Sequence, residues 1–192
     1  MVTSLPDVSE TPELDFEGWR SWFVEAARGV LRWVPADGVA IFYQSDIRLG
    51  GVWVDKGYLV LRAAEAEHAA LVWHRIACRK PPGTLSLGRP SYSHLVCIAK
   101  PPRPPERHPA PDVLPEAGFM PWSRAMGVGA CRLACEYLLR ETTTRQVADP
   151  FCGQGTLLAV ANAMGLPALG VDRSARRCRA ARKLSVALAP GA

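Results

Sequence analysis

The run from Val147 to Thr156 holds the residues whose types and spacing have the clearest chemical meaning. It reads Val-Ala-Asp-Pro-Phe-Cys-Gly-Gln-Gly-Thr, a short apolar segment followed by a turn with two glycines. The apolar part predicts a buried strand, and residues 157–164 predict a helix. Gly153 and Gly155 allow the backbone to pass close to a ligand, because a Cβ would collide there. The helix that follows would point its N-terminal amides toward that ligand.

A second strand ends in an acid a short distance further on. After Gly165-Leu166-Pro167, residues 168–171 are an apolar run that leads to Asp172. Strand, glycine turn, helix, strand and acid follow one another at the spacing of one βαβ unit. An acid at this place can accept hydrogen bonds from both ribose hydroxyls of an adenosine cofactor. The turn lacks the Gly-Lys-[Ser/Thr] of a phosphate-binding loop, and it is not the three-glycine dinucleotide fingerprint.

The glycine turn resembles the cofactor loop of the Rossmann-like methyltransferases. This resemblance implies S-adenosyl-L-methionine as the cofactor. It also implies a set of cofactor-binding residues in the C-terminal part of the chain: Asp149, Phe151, Cys152, Gly153, Gly155, Thr156 and Asp172.

The composition indicates one globular domain. The chain has 192 residues, of which 48% are hydrophobic, which is enough for a sizeable core. No run approaches 18 uninterrupted apolar residues, and the first residues do not have the pattern of a signal peptide, so we expect a cytoplasmic protein without a membrane partner. The six cysteines form no Cys-x-x-Cys, which favours reduced, mostly buried thiols over a metal site or disulfides.

The charge is modestly basic, with a formal net charge of +5. This balance favours an anionic partner such as nucleic acid. Residues 172–183 predict a helix with five arginines and one lysine. A second basic group comprises Arg75, Arg79, Lys80 and Arg89. Either group could bind phosphates, but a solvated helix face explains the first equally well.

The remaining pattern predicts an alternation of helices and strands without internal repeats. Apolar periodicity predicts helices over residues 16–33, 56–66 and 128–140, and strands over 39–44, 70–74 and 93–100. The last two strands would form an antiparallel pair at the end of a sheet. Seven prolines between residues 101 and 115 predict an extended connector over 101–120. It separates a catalytic half, 1–100, from a cofactor-binding half, 121–192, within a single domain.

The order of these elements resembles the circularly permuted, β-class DNA N4-cytosine/N6-adenine amino-methyltransferases. Nearly the whole chain takes part in the resemblance, through a tryptophan strand at 71–75, an Arg-Pro and His strand at 89–100, and the segment 122–127. It implies a Rossmann-like α/β fold with a mostly parallel sheet, helices on both faces and the cofactor-binding βαβ unit at the C-terminus. It further implies that Ser123, Met126 and Gly127 hold the methionine end of the cofactor.

In that family a [Asp/Asn/Ser]-Pro-Pro-aromatic turn performs the chemistry without a metal or a covalent intermediate. The candidate here is Ser4-Leu5-Pro6-Asp7. By resemblance, Ser4 is the polar acceptor for the target amino group and Pro6 is the rigid turn residue. The departures are Leu5 and, more seriously, Asp7, because a carboxylate cannot stack on a base.

Several interpretations of Asp7 stay open. The base could be held by another aromatic residue such as Tyr43, Trp53 or Tyr92, the acceptor could differ from the usual base, or activity could be lost. Asp7 could also bind the nucleophile or act as its base. In the simplest interpretation, Asp7 or Ser9 only caps a helix.

A few other residues have weaker functional signals. Asp46 follows a strand, where ligands of α/β proteins bind, although a loop cap is equally plausible. His74 and His94 lie on neighbouring predicted strands, and most such histidines are structural. The tryptophans at 19, 22 and 33 are predicted to lie in the core rather than to stack on bases.

The preferred function is transfer of a methyl group from S-adenosylmethionine to a nitrogen of a nucleic-acid base. Only about twenty residues separate Lys100 from Met120, too few for a major-groove reader. This favours structured RNA over DNA, or a partner subunit that supplies target recognition. The alternatives are a catalytically inactive, cofactor-binding partner of another chain and, third, a small-molecule methyltransferase.

Overall fold

The computed structural model describes residues 1–101 and 106–187. The strands are β1 (Val2–Thr3), β2 (Val39–Gln44), β3 (Ile47–Leu49), β4 (Val52–Val54), β5 (Ala70–Cys78), β6 (Tyr92–Ala99), β7 (Val113–Leu114), β8 (Val147–Asp149) and β9 (Ala168–Gly170). The α-helices are α1 (Phe16–Trp33), α2 (Lys56–Ala66), α3 (Val128–Glu141), α4 (Thr156–Ala163) and α5 (Ala175–Ala181). A short 3-10 helix covers Val8–Glu10.

The main sheet is mixed, with the strand order β1-β2-β6-β5-β7. β1 is parallel to β2, and β7 is parallel to β5. β6 is antiparallel to both β2 and β5, so the predicted antiparallel pair is confirmed. Its predicted place at the end of the sheet is wrong, because β7 pairs with the other side of β5. The sheet is therefore mixed, because β6 runs against both of its neighbours while β1, β2, β5 and β7 share one direction.

A second parallel pair, β8 and β9, lies beside β1. The last residues of β1 and β8 are joined by a hydrogen bond, in which Thr3 Oγ1 donates to Asp149 Oδ1 at 2.6 Å. The first strand of the chain and β8 are therefore neighbours, and their carboxyl ends meet at one edge of the sheet. This edge holds the carboxyl ends of β1, β2, β5 and β8.

Helices cover both faces of the sheet, as predicted. Side chains of β2 alternate between the faces, so Ile41 contacts one core and Phe42 the other. The first core contains residues of α3 and α4, and the second contains residues of α1 and α2. Helix α1 forms because its apolar residues recur at helical spacing, and the Asp15 side chain caps its start by accepting from Gly18 N at 2.7 Å.

The structure departs from the predicted elements at several places. The basic segment 172–183 contains only the short helix α5, which starts after its cap Ser174. The hairpin of β3 and β4 and the edge strand β7 were not predicted, and part of the proline-rich connector, 102–105, lies outside the described residues. Trp19 is buried, but Trp33 is 79% exposed, so its assignment to the core is wrong.

The cysteine and membrane predictions can be compared with the structure directly. Five cysteines are buried, Cys178 is half-buried, and all six are free thiols. Among the described helices, none is both long enough and apolar enough to cross a bilayer.

Gly127, the residue that precedes α3, offers a test of the packing. A Cβ on Gly127 would lie 2.1 Å from the carbonyl oxygen of Ala117, so the backbone would have to shift. We expect Gly127→Ala to lower the free energy of unfolding by about 1–3 kcal/mol, measured by urea denaturation. Gly29→Ala is the matched control, since a Cβ there meets no described atom within 4 Å and helix propensity predicts a gain of up to about 1 kcal/mol. Equal effects of both variants would contradict this view of Gly127.

Candidate functional site

The glycine turn after β8 is fixed to β9 by backbone hydrogen bonds. Val171 N donates to Asp149 O at 3.0 Å, and Cys152 N donates to Val171 O at 2.9 Å. The side chain of Asp149 also accepts from Phe151 N at 3.1 Å. The turn is therefore held rigidly at the carboxyl end of both strands, which is where α/β proteins bind ligands.

The two glycines of the turn allow close packing within the protein. Gly153 and Gly155 have φ values of +54° and +83°, in the left-handed region. A Cβ on Gly153 would come within 2.8 Å of the Trp122 ring, and one on Gly155 within 2.7 Å of Ala181. Each glycine is therefore in close contact with another part of the protein, and Gly153 also lines a cavity. Trp122 Nε1 also donates to Thr156 Oγ1 at 3.2 Å, which ties the segment before α3 to the start of α4.

A cavity of about 370 Å³ opens in front of the turn. Its lining joins three separate parts of the chain. Of the predicted site residues, it contains Ser4 and Pro6 from the turn after β1, Met126, and the cofactor-loop set Phe151, Cys152, Gly153, Thr156 and Asp172. The sequence thus predicted residues that the fold brings together from distant parts of the chain.

A smaller cavity of about 80 Å³ adjoins the first. Both cavities are lined by Ser4, Leu5, Glu10 and Arg124. The predicted residues Asp7 and Ser123 line only the smaller one, together with Tyr43, Ser45, Lys56, Arg79, Arg89 and Ala125. Ser4 therefore stands on the wall that the two cavities share.

Three of the predicted site residues line neither cavity. Gly127 precedes α3 and packs on Ala117, and Gly155 lies at the start of α4 against α5. Asp149 is 1% exposed and lies behind the turn. These residues support the walls of the larger cavity from behind.

The carboxyl group of Asp149 is buried away from solvent. Its Oδ1 accepts hydrogen bonds from Thr3 and Phe151 N, but Oδ2 has no partner among the described residues. Burial raises the pKa of Asp149 to about 7, although the two hydrogen bonds oppose this shift. A large part of the Asp149 population is therefore protonated near neutral pH.

Asp7 has a structural role in addition to its place in the smaller cavity. It precedes the 3-10 helix and forms a capping box with Glu10, in which Asp7 Oδ1 accepts from Val8 N at 3.2 Å and Glu10 Oε2 accepts from Asp7 N at 3.3 Å. Asp7 Oδ1 also lies 3.6 Å from Lys56 Nζ. The ammonium group of Lys56 is buried, and burial lowers its pKa while Asp7 opposes that shift. Helix capping, charge pairing and a place in the cavity wall therefore coincide at Asp7.

Glu10 connects charges on both sides of the larger cavity. Its Oε1 lies 3.2 Å from a guanidinium nitrogen of Arg124 and 3.4 Å from one of Arg177. Arg177 also lies 3.6 Å from Asp172 Oδ2, whereas Asp172 Oδ1 accepts from Ser174 N at 2.7 Å. These contacts link the start of the chain to the acid after β9.

Glu10, Arg124 and Arg177 also line the larger cavity, and none of them was predicted from the sequence. The pattern Asp7-x-x-Glu10 is a capping-box signature and could have identified the helix start. It could not have shown which arginines Glu10 would meet, because they come from distant parts of the chain.

Asp46, His94 and His74 form a hydrogen-bonded chain, and none of them lines either cavity. His94 Nε2 lies 3.0 Å from Asp46 Oδ2, and because a carboxylate only accepts, this nitrogen is the donor. His74 Nε2 lies 2.9 Å from His94 Nδ1. Burial raises the pKa of Asp46, but hydrogen bonds from His94 and the Lys56 amide lower it overall. This chain fastens the hairpin β3–β4 to β6, because Trp53 Nε1 also donates to Asp46 at 3.1 Å.

Comparison with known proteins finds solved structures of similar fold. No family model matches the chain, and no curated protein matches its sequence. Among solved structures, the chain is similar to TTHA0409 of Thermus thermophilus, described as a DNA modification methylase, in complex with S-adenosyl-L-methionine. The TM-score is 0.72 at 18% identity, over 95% of this chain and 82% of that one.

Two further structures show the same likeness. The PvuII DNA methyltransferase, which is cytosine-N4-specific, has a TM-score of 0.67 at 15% identity, over 98% of this chain and 80% of that one. The M1.HpyAVI–SAM complex has a TM-score of 0.59 at 10% identity, over 95% and 85% of the two chains. The chain thus has a methyltransferase-like α/β fold with a mixed sheet and helices.

The buried carboxyl group of Asp149 predicts a distinctive dependence of stability on pH. Because its pKa is raised in the folded state, the stability that Asp149 contributes is present below its unfolded pKa of about 4 and is lost as pH rises through about 7. Asp149→Asn keeps the acceptor oxygen and removes the titration. We expect its urea-unfolding free energy to equal that of wild type near pH 4 and to exceed it above pH 7. Between these values the difference should grow by at most about 1.4 kcal/mol per pH unit.

The exposed carboxylate of Glu65 provides the control for that measurement. Glu65→Gln should run parallel to wild type over the same pH range. If Asp149→Asn also ran parallel to wild type, the carboxyl group would titrate normally and its burial would have no such consequence.

Proposed function

We propose that this protein is an S-adenosylmethionine-dependent methyltransferase that methylates an exocyclic nitrogen of a nucleic-acid base. One observation carries the proposal. The glycine turn, Asp172 and the Ser4 turn, which lie far apart in the sequence, line one cavity of about 370 Å³. Such a volume lies within the range of about 300–1,000 Å³ that is typical of small-molecule pockets.

The chemistry of the cavity lining fits the cofactor. Phe151, Val171 and Trp22 offer apolar contacts for an adenine ring. Asp172 Oδ2 is available to ribose hydroxyls, because Arg177 is its only neighbour at ion-pair distance in the described part of the chain. Met126 lies on the side that resemblance assigns to the methionine end. When bound, S-adenosylmethionine supplies an electrophilic methyl group on a sulfonium centre.

The other residues that were predicted to bind the cofactor either line one of the two cavities or support its wall. Cys152, Gly153 and Thr156 also line the cavity, and Ser123 lies on its far side in the smaller one. We assign Asp149, Gly127 and Gly155 to support, since Asp149 positions the turn through its hydrogen bond with Phe151 N. The fit of the site to the cofactor is supported by TTHA0409 and M1.HpyAVI, whose structures hold S-adenosylmethionine.

The acceptor would enter from the smaller cavity. Ser4 lies where the two cavities meet, so its hydroxyl can accept a hydrogen bond from a target amino group and orient the nitrogen lone pair toward the methyl group. The Pro6 carbonyl accepts from Trp19 Nε1 at 3.3 Å, which fixes the turn on α1. This role for Ser4 and Pro6 needs no metal ion.

We further propose that the element order is a circular permutation of the usual methyltransferase order. The strand that ends before Ser4 is the first in the chain, and the βαβ unit of β8, α4 and β9 is the last. The contact between β1 and β8 supports this proposal, because it places the two functional turns side by side.

Nucleic acid as the acceptor is supported by the net charge of +5 and by the fold likeness to DNA methyltransferases. The short connector after Lys100 supports structured RNA, or recognition of the target by a partner subunit. The role of Asp7 in a capping box and an ion pair favours a second candidate function. In that case the chain is an inactive, cofactor-binding partner of another protein.

Cofactor binding provides the first test. Asp172→Ala removes the acceptor for the ribose hydroxyls, and loss of hydrogen bonds to a charged group costs about 1.5–3 kcal/mol. We expect S-adenosylmethionine to bind roughly 10- to 100-fold more weakly in isothermal titration calorimetry. The exposed Asp112 supplies the control, and Asp112→Ala should bind like wild type. Unchanged affinity of Asp172→Ala would remove this residue from the cofactor site.

Methyl transfer provides the second test. Radiolabelled S-adenosylmethionine is incubated with the protein and with total RNA or total DNA from a host that lacks the gene. We expect label in one of the two nucleic acids. Ser4→Ala should reduce the rate by at least about tenfold, as for loss of a positioned catalytic hydrogen bond, with unchanged cofactor affinity. Asp172→Ala serves as the binding-deficient control. Cofactor binding without label in either nucleic acid would favour the inactive partner instead.

A further inference from the structure

Loop 79–91 joins β5 to β6 at the same edge of the sheet as the candidate site. β5 runs in the direction of β2, because both are antiparallel to β6, and β1 is parallel to β2. The backbone amides of Arg79 and Lys80 both donate to Ser91 O, at 2.6 and 3.1 Å. The base of the loop is therefore fixed beside the turn that carries Ser4.

Two arginines of this loop line the smaller cavity. Arg79 and Arg89 share its wall with Ser4. The other two cations of the cavity, Lys56 and Arg124, are paired with carboxylates. Within residues 1–101 and 106–187, Arg79 and Arg89 form no ion pair. The entrance on the acceptor side thus presents two guanidinium groups that an anion can neutralise.

The tip of the same loop presents two leucines to solvent. Leu85 and Leu87 are 96% and 101% exposed. Between them, Ser86 Oγ donates to Arg89 O at 2.8 Å, and Lys80 Nζ lies 3.4 Å from Ser86 Oγ. These contacts hold the tip over the base of the loop, while the two leucine side chains remain in water.

We propose that loop 79–91 inserts into a nucleic-acid duplex beside the target nucleotide. In this proposal Arg79 and Arg89 bind phosphates that flank the target, and Leu85 and Leu87 fill the space that opens in the base stack. The inference rests on the proposed function, because an amino group inside a duplex reaches an enzyme only after its base is extruded. Apolar side chains that enter base steps, next to basic groups on the backbone, are a known way to open a stack.

Charge favours a duplex over a protein as the occupant. The leucines are flanked by Lys80, Arg79 and Arg89, and no carboxylate belongs to loop 79–91. A protein surface would have to supply a matching acidic patch, whereas a phosphate backbone always does. Arg79 and Arg89 share the wall of the smaller cavity with Ser4, so a nucleic-acid strand bound to these arginines would lead toward Ser4.

Binding of short duplexes of DNA and of RNA, with mixed sequence, tests this inference. Each duplex is prepared in two forms, one intact and one with a single abasic site. The abasic site leaves a gap in the base stack before the protein binds. Wild-type protein, with S-adenosylmethionine present, should bind the abasic duplex about tenfold more tightly, because opening the stack costs free energy in the intact one. The double variant Leu85→Ser/Leu87→Ser should bind both duplexes equally. Since both leucines are exposed, its thermal unfolding midpoint should match that of wild type.

Salt dependence separates the arginines from the leucines. Arg79→Gln/Arg89→Gln should reduce the slope of log K against log salt concentration by about 2, one for each lost phosphate contact. The leucine variant should keep the wild-type slope. Arg145→Gln is the matched control, since Arg145 is exposed and precedes β8, at the opposite edge of the sheet.

The outcomes distinguish the loop from the proposed function. If wild type methylates nucleic acid, but the leucine variant keeps the abasic preference or the arginine variant keeps the full salt slope, the inference about the loop is wrong and the function stands. If wild type binds S-adenosylmethionine but neither binds nor methylates nucleic acid, both are wrong.

Discussion

The hydrogen bond between Thr3 and Asp149 is the contact on which the rest of the site depends. It joins residues 146 positions apart in the chain, at the ends of β1 and β8, with an oxygen–oxygen distance of 2.6 Å. β1 has only two residues and pairs with β2 on one side. Its other side faces β8, so this bond connects the strand pair β8–β9 to the main sheet. Together with the ion pairs of Glu10, it holds the Ser4 turn against the glycine turn.

The same bond explains why a carboxyl group is tolerated in the core. Asp149 is buried, one of its oxygens has no partner among the described residues, and burial raises its pKa to about 7. An ionised carboxylate in a dry site is costly unless it is paired, and a neutral carboxyl avoids most of that cost. The two hydrogen bonds to its other oxygen position both functional turns. We interpret the unfavourable burial as the cost of this alignment, which is a common compromise at functional sites.

The polar groups over the larger cavity show a related arrangement. Glu10 accepts from Arg124 and Arg177, and its second oxygen completes the capping box with Asp7. One carboxylate thereby joins the 3-10 helix, the segment before α3 and helix α5. These contacts are partly exposed, so each is worth little by itself. Their value lies in geometry, because they hold three separate segments around one cavity.

Much of this architecture was predictable from local patterns. The boundaries of α1 and α2, the strand β2 and the antiparallel pair of β5 and β6 followed from apolar periodicity, since burial of one face is what stabilises these elements. The place of Phe151, Gly153 and Asp172 at one cavity was predictable, because strand, turn and acid occur in one short run. The short strands β3, β4 and β7 were missed, as two or three residues do not establish a period.

The sequence by itself determined the local chemistry: a glycine turn, an acid after the next strand, and a Ser-x-Pro turn at the start of the chain. Only the tertiary structure decided which of these residues face a cavity and which support it from behind. The sequence assigns Asp149, Gly127 and Gly155 to the cofactor site, whereas in the structure they line neither cavity and lie against Thr3, Ala117 and Ala181. The physical reason is that hydrogen bonds and close packing between distant segments depend on the relative placement of whole elements. No local pattern encodes that placement, whereas periodicity and turn chemistry act over a few residues and can be recognised directly.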